Sequence, residues 1–229
     1  MNVLRIGHRG SKGYVAENTL ESIDHAILLG VDGIEIDIFK CSSGELVLSH
    51  ENDLKRLTGK SGQLEKLTLG ELKKFLVVGK YKIPTLADVL TRIEKPLFVN
   101  IELKGLNTAQ ATSKIIADIS TSTSWSLQHF IVSSFNWDEL EQFRSIDKNT
   151  PVGVLVSKSM SINEAIEFGK KINAQAIHPN FKLLNNKTVK KIKKNGFKIY
   201  TWTVNNEDDI NCMKKLKVNG IISDYPDKI

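Results

Sequence analysis

Two short segments place carboxylates at alternate positions. In Gly33-Ile34-Glu35-Ile36-Asp37-Ile38 the three isoleucines fall on one face of an extended chain and Glu35 and Asp37 on the other. Side chains two residues apart in a strand lie about 6.5–7 Å apart and point the same way. In Phe98-Val99-Asn100-Ile101-Glu102-Leu103-Lys104 the same alternation separates Val99, Ile101 and Leu103 from Asn100, Glu102 and Lys104. Glu102 is thus a third carboxylate facing the same interior. Such groups are costly to bury unless a cation, a proton or a hydrogen-bond network neutralises them. With water they make an all-oxygen donor set, suited to one divalent metal ion, Mg²⁺ or Ca²⁺, rather than to zinc. A water-lined polar strand face is the plainer alternative. For Glu102 a salt bridge to Lys104 is the competing use, and it leaves Glu35 and Asp37 unpaired.

Two histidines and two cations complete the set. His8 closes an apolar run in Gly7-His8-Arg9-Gly10, where the glycines let the chain turn tightly around a ligand. His50 ends the alternating run Glu45-Leu46-Val47-Leu48-Ser49-His50. An imidazole accepts a proton and an imidazolium donates one, so a pair serves acid/base chemistry on a phosphoryl group. Arg9 and Lys104 suit the non-bridging oxygens of a phosphate.

The elements that must position these groups follow from the apolar pattern. Eight strand-like runs are expected at Val3–Gly7, Gly33–Phe39, Leu97–Leu103, Phe130–Ser134, Val152–Val156, Ala176–Ile177, Ile199–Val204 and Gly220–Ile222. Amphipathic helical stretches lie between them, among them Leu20–Leu29, Thr108–Ile119, Trp137–Ile146, Ile162–Ile172, Thr188–Asn195 and Glu207–Leu216. Strand and helix alternate, which predicts parallel strands joined by crossover helices. The expected fold is α/β, a single (β/α)₈ TIM barrel over residues 1–229, with an insertion after the second strand from Lys40 to Pro84. The candidate groups then gather at the C-terminal ends of the first three strands or in that insertion, the catalytic face of such barrels. His178 ends the sixth run, where Pro179 makes it either a site residue or part of a rigid turn. Trp125 and Trp137 are assigned to packing or to helix surfaces.

Composition narrows the partners. With 41% hydrophobic and 25% charged residues the chain builds a sizeable core and is not disordered. A net charge of +6 favours anions, but most of the excess is scattered lysine. Lys190-Lys191-Ile192-Lys193-Lys194 lacks interleaved aromatics and reads as the outer face of a helix, so no nucleic-acid partner is expected. Cys41 and Cys212 form neither a disulfide framework nor a metal-ligand spacing. No apolar run is long enough to span a bilayer, and the first ten residues lack the pattern of a secretory signal. A cytoplasmic location without stable membrane insertion is expected.

Taken in order, His8-Arg9-Gly10, Glu17-Asn18-Thr19, Glu35-Ile36-Asp37, His50, Glu102-Leu103-Lys104, His178-Pro179, Trp202-Thr203-Val204-Asn205 and Ser223-Asp224-Tyr225-Pro226 resemble the motifs of glycerophosphodiester phosphodiesterases across nearly the whole chain. The resemblance implies His8 and His50 as general acid and base, and Glu35, Asp37 and Glu102 as ligands of one divalent metal. It implies Arg9 and Lys104 on the phosphate and Trp202 against the glycerol of a small anionic glycerophosphodiester. The products would be sn-glycerol 3-phosphate and an alcohol. It leaves the oligomeric state open, a homodimer included. The chain departs from the family pattern at Ala16, at Ser43-Gly44 and at Glu51, the last beside His50. Two alternatives stand: a lysophospholipase D or sphingomyelinase D-like enzyme, which needs an apolar groove or membrane-binding loop, and a non-catalytic phosphate-ligand binding protein.

Overall fold

The alternation of apolar runs folds into eight parallel strands that close on themselves. The computed structural model describes residues 2–229. The chain begins β1 (Leu4–His8), α1 (Leu20–Leu28) and β2 (Gly33–Lys40). A run of short elements follows: β3 (Leu46–Leu48), α2 (Lys55–Thr58), α3 (Leu69–Leu72), β4 (Leu76–Val77), β5 (Tyr81–Lys82) and α4 (Leu86–Arg92). The regular rhythm resumes with β6 (Phe98–Leu103), α5 (Ala109–Ser122), β7 (Phe130–Ser134), α6 (Trp137–Ile146), β8 (Val152–Val156) and α7 (Ile162–Lys171). It ends with β9 (Ala176–Pro179), α8 (Asn186–Lys194), β10 (Lys198–Thr201), α9 (Glu207–Lys215) and β11 (Gly220–Ser223). The closed ring runs β1-β2-β6-β7-β8-β9-β10-β11, and β1 pairs in parallel with both β2 and β11.

Strand alternation separates two cores. The outward side chains Ile34, Ile36, Ile38, Val99 and Ile101 have no exposed surface and pack beneath the helices. Each such residue contributes about 2 kcal/mol of burial. The inward side chains Ile6, Ile131, Ala176, Tyr200 and Ile222 fill the barrel below its mouth. Trp125 stacks on Phe130, ring centres 5.0 Å apart, and the Trp137 Nε1–H donates to the Leu155 carbonyl at 3.1 Å. Helix starts carry the caps their sequences suggest: the Asn206 side chain accepts the Asp209 N–H at 2.9 Å, with acidic Glu207, Asp208 and Asp209 in the first turn of α9.

Among the departures from expectation, two strand ends and the insertion matter most for the mouth of the barrel. Strand β9 runs two residues further than Ala176–Ile177, because His178 and Pro179 keep pairing with Leu155 and Val156 of β8. Strand β10 ends at Thr201 rather than Val204, and the Trp202 carbonyl instead accepts the Phe181 N–H at 3.2 Å. The stretch from Lys40 to Pro84 is no plain loop. Strand β3 pairs antiparallel with the end of β2, and Leu54, Leu64, Leu72 and Val77 join Phe39 and Val47 in a small core of their own.

Candidate active site

Register decides which polar groups meet. His8 of β1 lies opposite Glu35 of β2, Glu35 opposite Asn100 of β6, and Asp37 opposite Glu102. Glu35, Asp37 and Glu102 are all buried, and each offers an oxygen within 4.8 Å of the others. Such a trio resists full ionisation. Burial, then repulsion from Asp37, pushes the Glu102 carboxyl up to about 8. Burial, Asp37 and Glu102 together push Glu35 well above the usual carboxylate range. A divalent cation would relieve both costs, and three buried oxygen donors fit Mg²⁺ or Ca²⁺.

Neighbouring groups hold this trio in place. The Arg9 N–H donates to Glu35 Oε2 at 3.0 Å. The Asn18 side chain grips Asp37 twice: Nδ2 donates to Oδ2 at 2.9 Å, and the Asp37 N–H donates to Oδ1 at 3.2 Å. Both Arg9 and Asn18 sit at positive φ, 53° and 56°, where backbone strain accompanies function more often than elsewhere.

Arg9 is already engaged. Its Nη1 donates to Glu17 Oε1 at 2.7 Å, and its Nε lies 3.0 Å from Asp37 Oδ2 without its N–H aimed at that oxygen. Arg56 closes on Glu17 from the other side at 2.8 Å and also reaches Glu51 at 2.9 Å. Burial raises the Glu17 carboxyl, but the two arginines outweigh it and hold Glu17 at about 2. The ion pair weighed as a competing use of Glu102 is present, with Lys104 Nζ 3.1 Å from Glu102 Oε1. It coexists with the carboxylate trio.

The two histidines approach from different parts of the fold. His8 Nδ1 lies 2.5 Å from Asp224 Oδ1, just past β11. A carboxylate only accepts, so Nδ1 carries the proton and Nε2 is left toward Glu35 Oε2, 3.8 Å away. Burial opposes ionisation of Asp224, yet hydrogen bonds from His8 and from Asn205 (2.8 Å) keep its carboxyl at about 2. Burial likewise lowers His8, against the raising pull of Asp224, which favours the neutral imidazole. His50 follows β3, with Nδ1 3.6 Å from Glu51 Oε1. Burial, with Arg9 and Lys104 nearby, lowers it to about 4 against the pull of Asp37.

One pocket joins these groups. His8, Glu35, His50 and Glu102 line its polar side, and Phe135, Leu155 and Trp202 its apolar side. The Trp202 Nε1–H donates to the His178 carbonyl at 2.8 Å, and its ring meets Phe135 edge-on at 5.2 Å. The His178 ring stays out of the pocket lining. It is wholly buried in the barrel beside Tyr200, with neither nitrogen hydrogen-bonded, and burial lowers it to about 3. Sequence reasoning assigned no role to Glu17, Asn18, Asn205 or Asp224, although each stands in a quoted motif, and it passed over Phe135 and Arg56.

A barrel whose mouth joins buried carboxylates to a pair of histidines in this way suits metal-assisted acid/base chemistry on a phosphate diester. The profile of the glycerophosphoryl diester phosphodiesterase family matches residues 8–228, and the chain belongs to that family. A glycerophosphodiester phosphodiesterase of Caldanaerobacter subterraneus subsp. tengcongensis is 31% identical over 238 residues, covering 100% of this chain and 97% of that one. The crystal structure of a glycerophosphodiester phosphodiesterase from Thermotoga maritima superposes with a TM-score of 0.84 at 29% identity, covering 99% of this chain and 96% of that one. The structure of an Oleispira antarctica phosphodiesterase in complex with the product sn-glycerol-3-phosphate superposes with a TM-score of 0.87 at 27% identity, covering 98% and 94%.

Proposed function

We propose that residues 1–229 act as one catalytic domain that hydrolyses a glycerophosphodiester to sn-glycerol 3-phosphate and an alcohol. The observation that carries this reading is the Glu35, Asp37 and Glu102 cluster, two of whose carboxylates, Glu35 and Glu102, line one pocket with His8 and His50. Those carboxylates would hold one Mg²⁺ or Ca²⁺, which when bound polarises a phosphoryl oxygen and lowers the pKa of a nucleophile beside it. His8 Nε2, kept free by the Asp224 bond at Nδ1, takes the proton of the attacking hydroxyl. His50, neutral in the free protein and 31% exposed, takes up a proton from solvent when the anionic phosphate sits beside it, and delivers that proton to the leaving alkoxide. Lys104 sets positive charge beside the phosphate oxygens, while Arg9 balances Glu17 and Asp37 and lends its remaining charge to the same group. Trp202 and Phe135 form the wall for the glycerol carbons.

The product-bound Oleispira antarctica phosphodiesterase supports a small anionic substrate. Cys41 and Cys212 are both free, which supports a reducing compartment, and we place the enzyme in the cytoplasm.

The test follows glycerol 3-phosphate release from glycerophosphocholine and glycerophosphoethanolamine, with chelator and then with Mg²⁺ or Ca²⁺ restored. Turnover should vanish with chelator, return with one metal, and fail in His8→Ala and Glu35→Ala. Folded protein that turns over neither substrate with any metal would overturn the assignment.

A further inference from the structure

We propose that the β4–β5 hairpin is a reversible docking surface for an anionic lipid bilayer, an inference that stands apart from the chemistry of the pocket. Its turn is closed by the Lys80 N–H donating to the Val77 carbonyl at 3.1 Å. The two central residues, Val78 and Gly79, both have positive φ, 46° and 70°. That pattern is normally served by Asn-Gly, because a β-branched side chain is strained in the left-handed region. Val78 is 61% exposed, so packing within the chain does not offset the strain. An apolar residue held there at a cost to the fold points to a use outside it.

Alternation sorts the rest of the hairpin. Val77 and Tyr81 are paired across the strands and turn inward, onto the small core with Leu54 and Leu72. Leu76 turns outward, 40% exposed, directly opposite Lys82. Lys73, Lys74, Lys80 and Lys82 are exposed, and none belongs to an ion pair of the described residues. The result is an apolar tip, Leu76 and Val78, with Lys80 and Lys82 on the hairpin beside it, the Lys80 ammonium 4.9 Å from the centre of the Tyr81 ring, and with Lys73 and Lys74 on the chain that leads into it. Residues 51–84 hold eight Lys or Arg against four Asp or Glu, so this one segment carries +4 of the chain's +6.

Charge complementarity selects the occupant. Lysines near an anionic leaflet each strengthen binding about fivefold, and their alkyl stems let the tip enter the headgroup layer while the ammonium groups stay in water. A nucleic acid would use the lysines and leave the apolar tip idle. No helix of the described residues is long and apolar enough to cross a membrane, so the association is peripheral. The full chain would thus work at a surface rich in glycerolipid.

The test is co-sedimentation of the full chain with vesicles of phosphatidylcholine alone, or with about one-third phosphatidylglycerol, at low and high NaCl. The expected result is binding to the anionic vesicles only, reversed by salt. Val78→Asn relieves the turn and removes the tip. It should weaken binding by about fivefold or more while raising the melting temperature and leaving hydrolysis of water-soluble glycerophosphocholine unchanged. Lys80→Glu with Lys82→Glu should abolish binding. Failure of the wild-type chain to bind anionic vesicles overturns the proposal. So does binding that Val78→Asn and Leu76→Ser leave intact, which would be charge attraction without a docking tip.

Discussion

His8 and Asp224 stand 216 positions apart in sequence and 2.5 Å apart in space, Nδ1 to Oδ1. That contact spans the seam where β1 meets β11, so the closure of the barrel also sets the tautomer of a histidine at its mouth. Asp224→Asn keeps the shape but offers a donor as readily as an acceptor. We expect kcat to fall by about 10²–10³-fold with the melting temperature nearly unchanged. An unchanged kcat in steady-state assays would remove Asp224 from the proton path.

Cation binding should be visible without turnover. Saturating Mg²⁺ or Ca²⁺ at about 100 times Kd stabilises the fold by about 2.7 kcal/mol. For a chain of this size that raises the melting temperature by about 5–10 °C. Asp37→Asn and Glu35→Gln should abolish the rise in differential scanning fluorimetry. A rise that survives both variants would place the ion elsewhere.

Glu17 links acid stability to the Arg9 and Arg56 clamp. Its folded pKa, about 2, lies below the ordinary 4.5, so its contribution is present above pH 4.5 and is lost as the pH falls toward 2. Arg56 is 45% exposed and solvent screens part of the attraction, which leaves about 2 kcal/mol. Denaturant titrations should find Glu17→Gln less stable at pH 7 by that amount, with a shallower loss of stability between pH 5 and 2. Parallel pH curves for the two proteins would contradict this.

Gly153 makes room for His178. A Cβ at Gly153 would lie 2.3 Å from His178 Nε2 inside the filled barrel. Gly153→Ala should cost about 1–3 kcal/mol. Combined with His178→Ala, it should cost at least about 1 kcal/mol less than the sum of the two single changes. Additive losses in a double-mutant cycle would show that the ring moves aside freely.

The strands and the carboxylate trio were legible because both are written in local alternation. Ile34, Ile36 and Ile38 against Glu35 and Asp37 need no distant partner to be read. The end of β9 was missed because Pro179 lacks an N–H, yet its carbonyl still accepts the Thr201 hydroxyl at 2.9 Å and holds the strand. Of the small elements after β2, the alternation at β3 was readable, whereas α2, α3, β4 and β5 were missed because pieces of two to four residues are too short for any periodicity. Glu17 and Asp224 lay in readable motifs, but their roles depend on Arg56 and His8, 39 and 216 positions away, and spacing carries no trace of such pairings.

The small core beneath β3 to β5 has a consequence for how the enzyme would fail. His8, Glu35, Asp37 and Glu102 belong to the ring of strands, and His50 is tied to it by β3, whose Leu46 and Leu48 lie in the main core. The chain that leads on from His50, with Arg56 on Glu17, is packed by the smaller set of Leu54, Leu64, Leu72 and Val77. A unit of that size opens more readily than the barrel beneath it. Warming or mild denaturant should therefore silence turnover before the barrel melts, and recovery on cooling should be fast, since only the smaller unit has to close again.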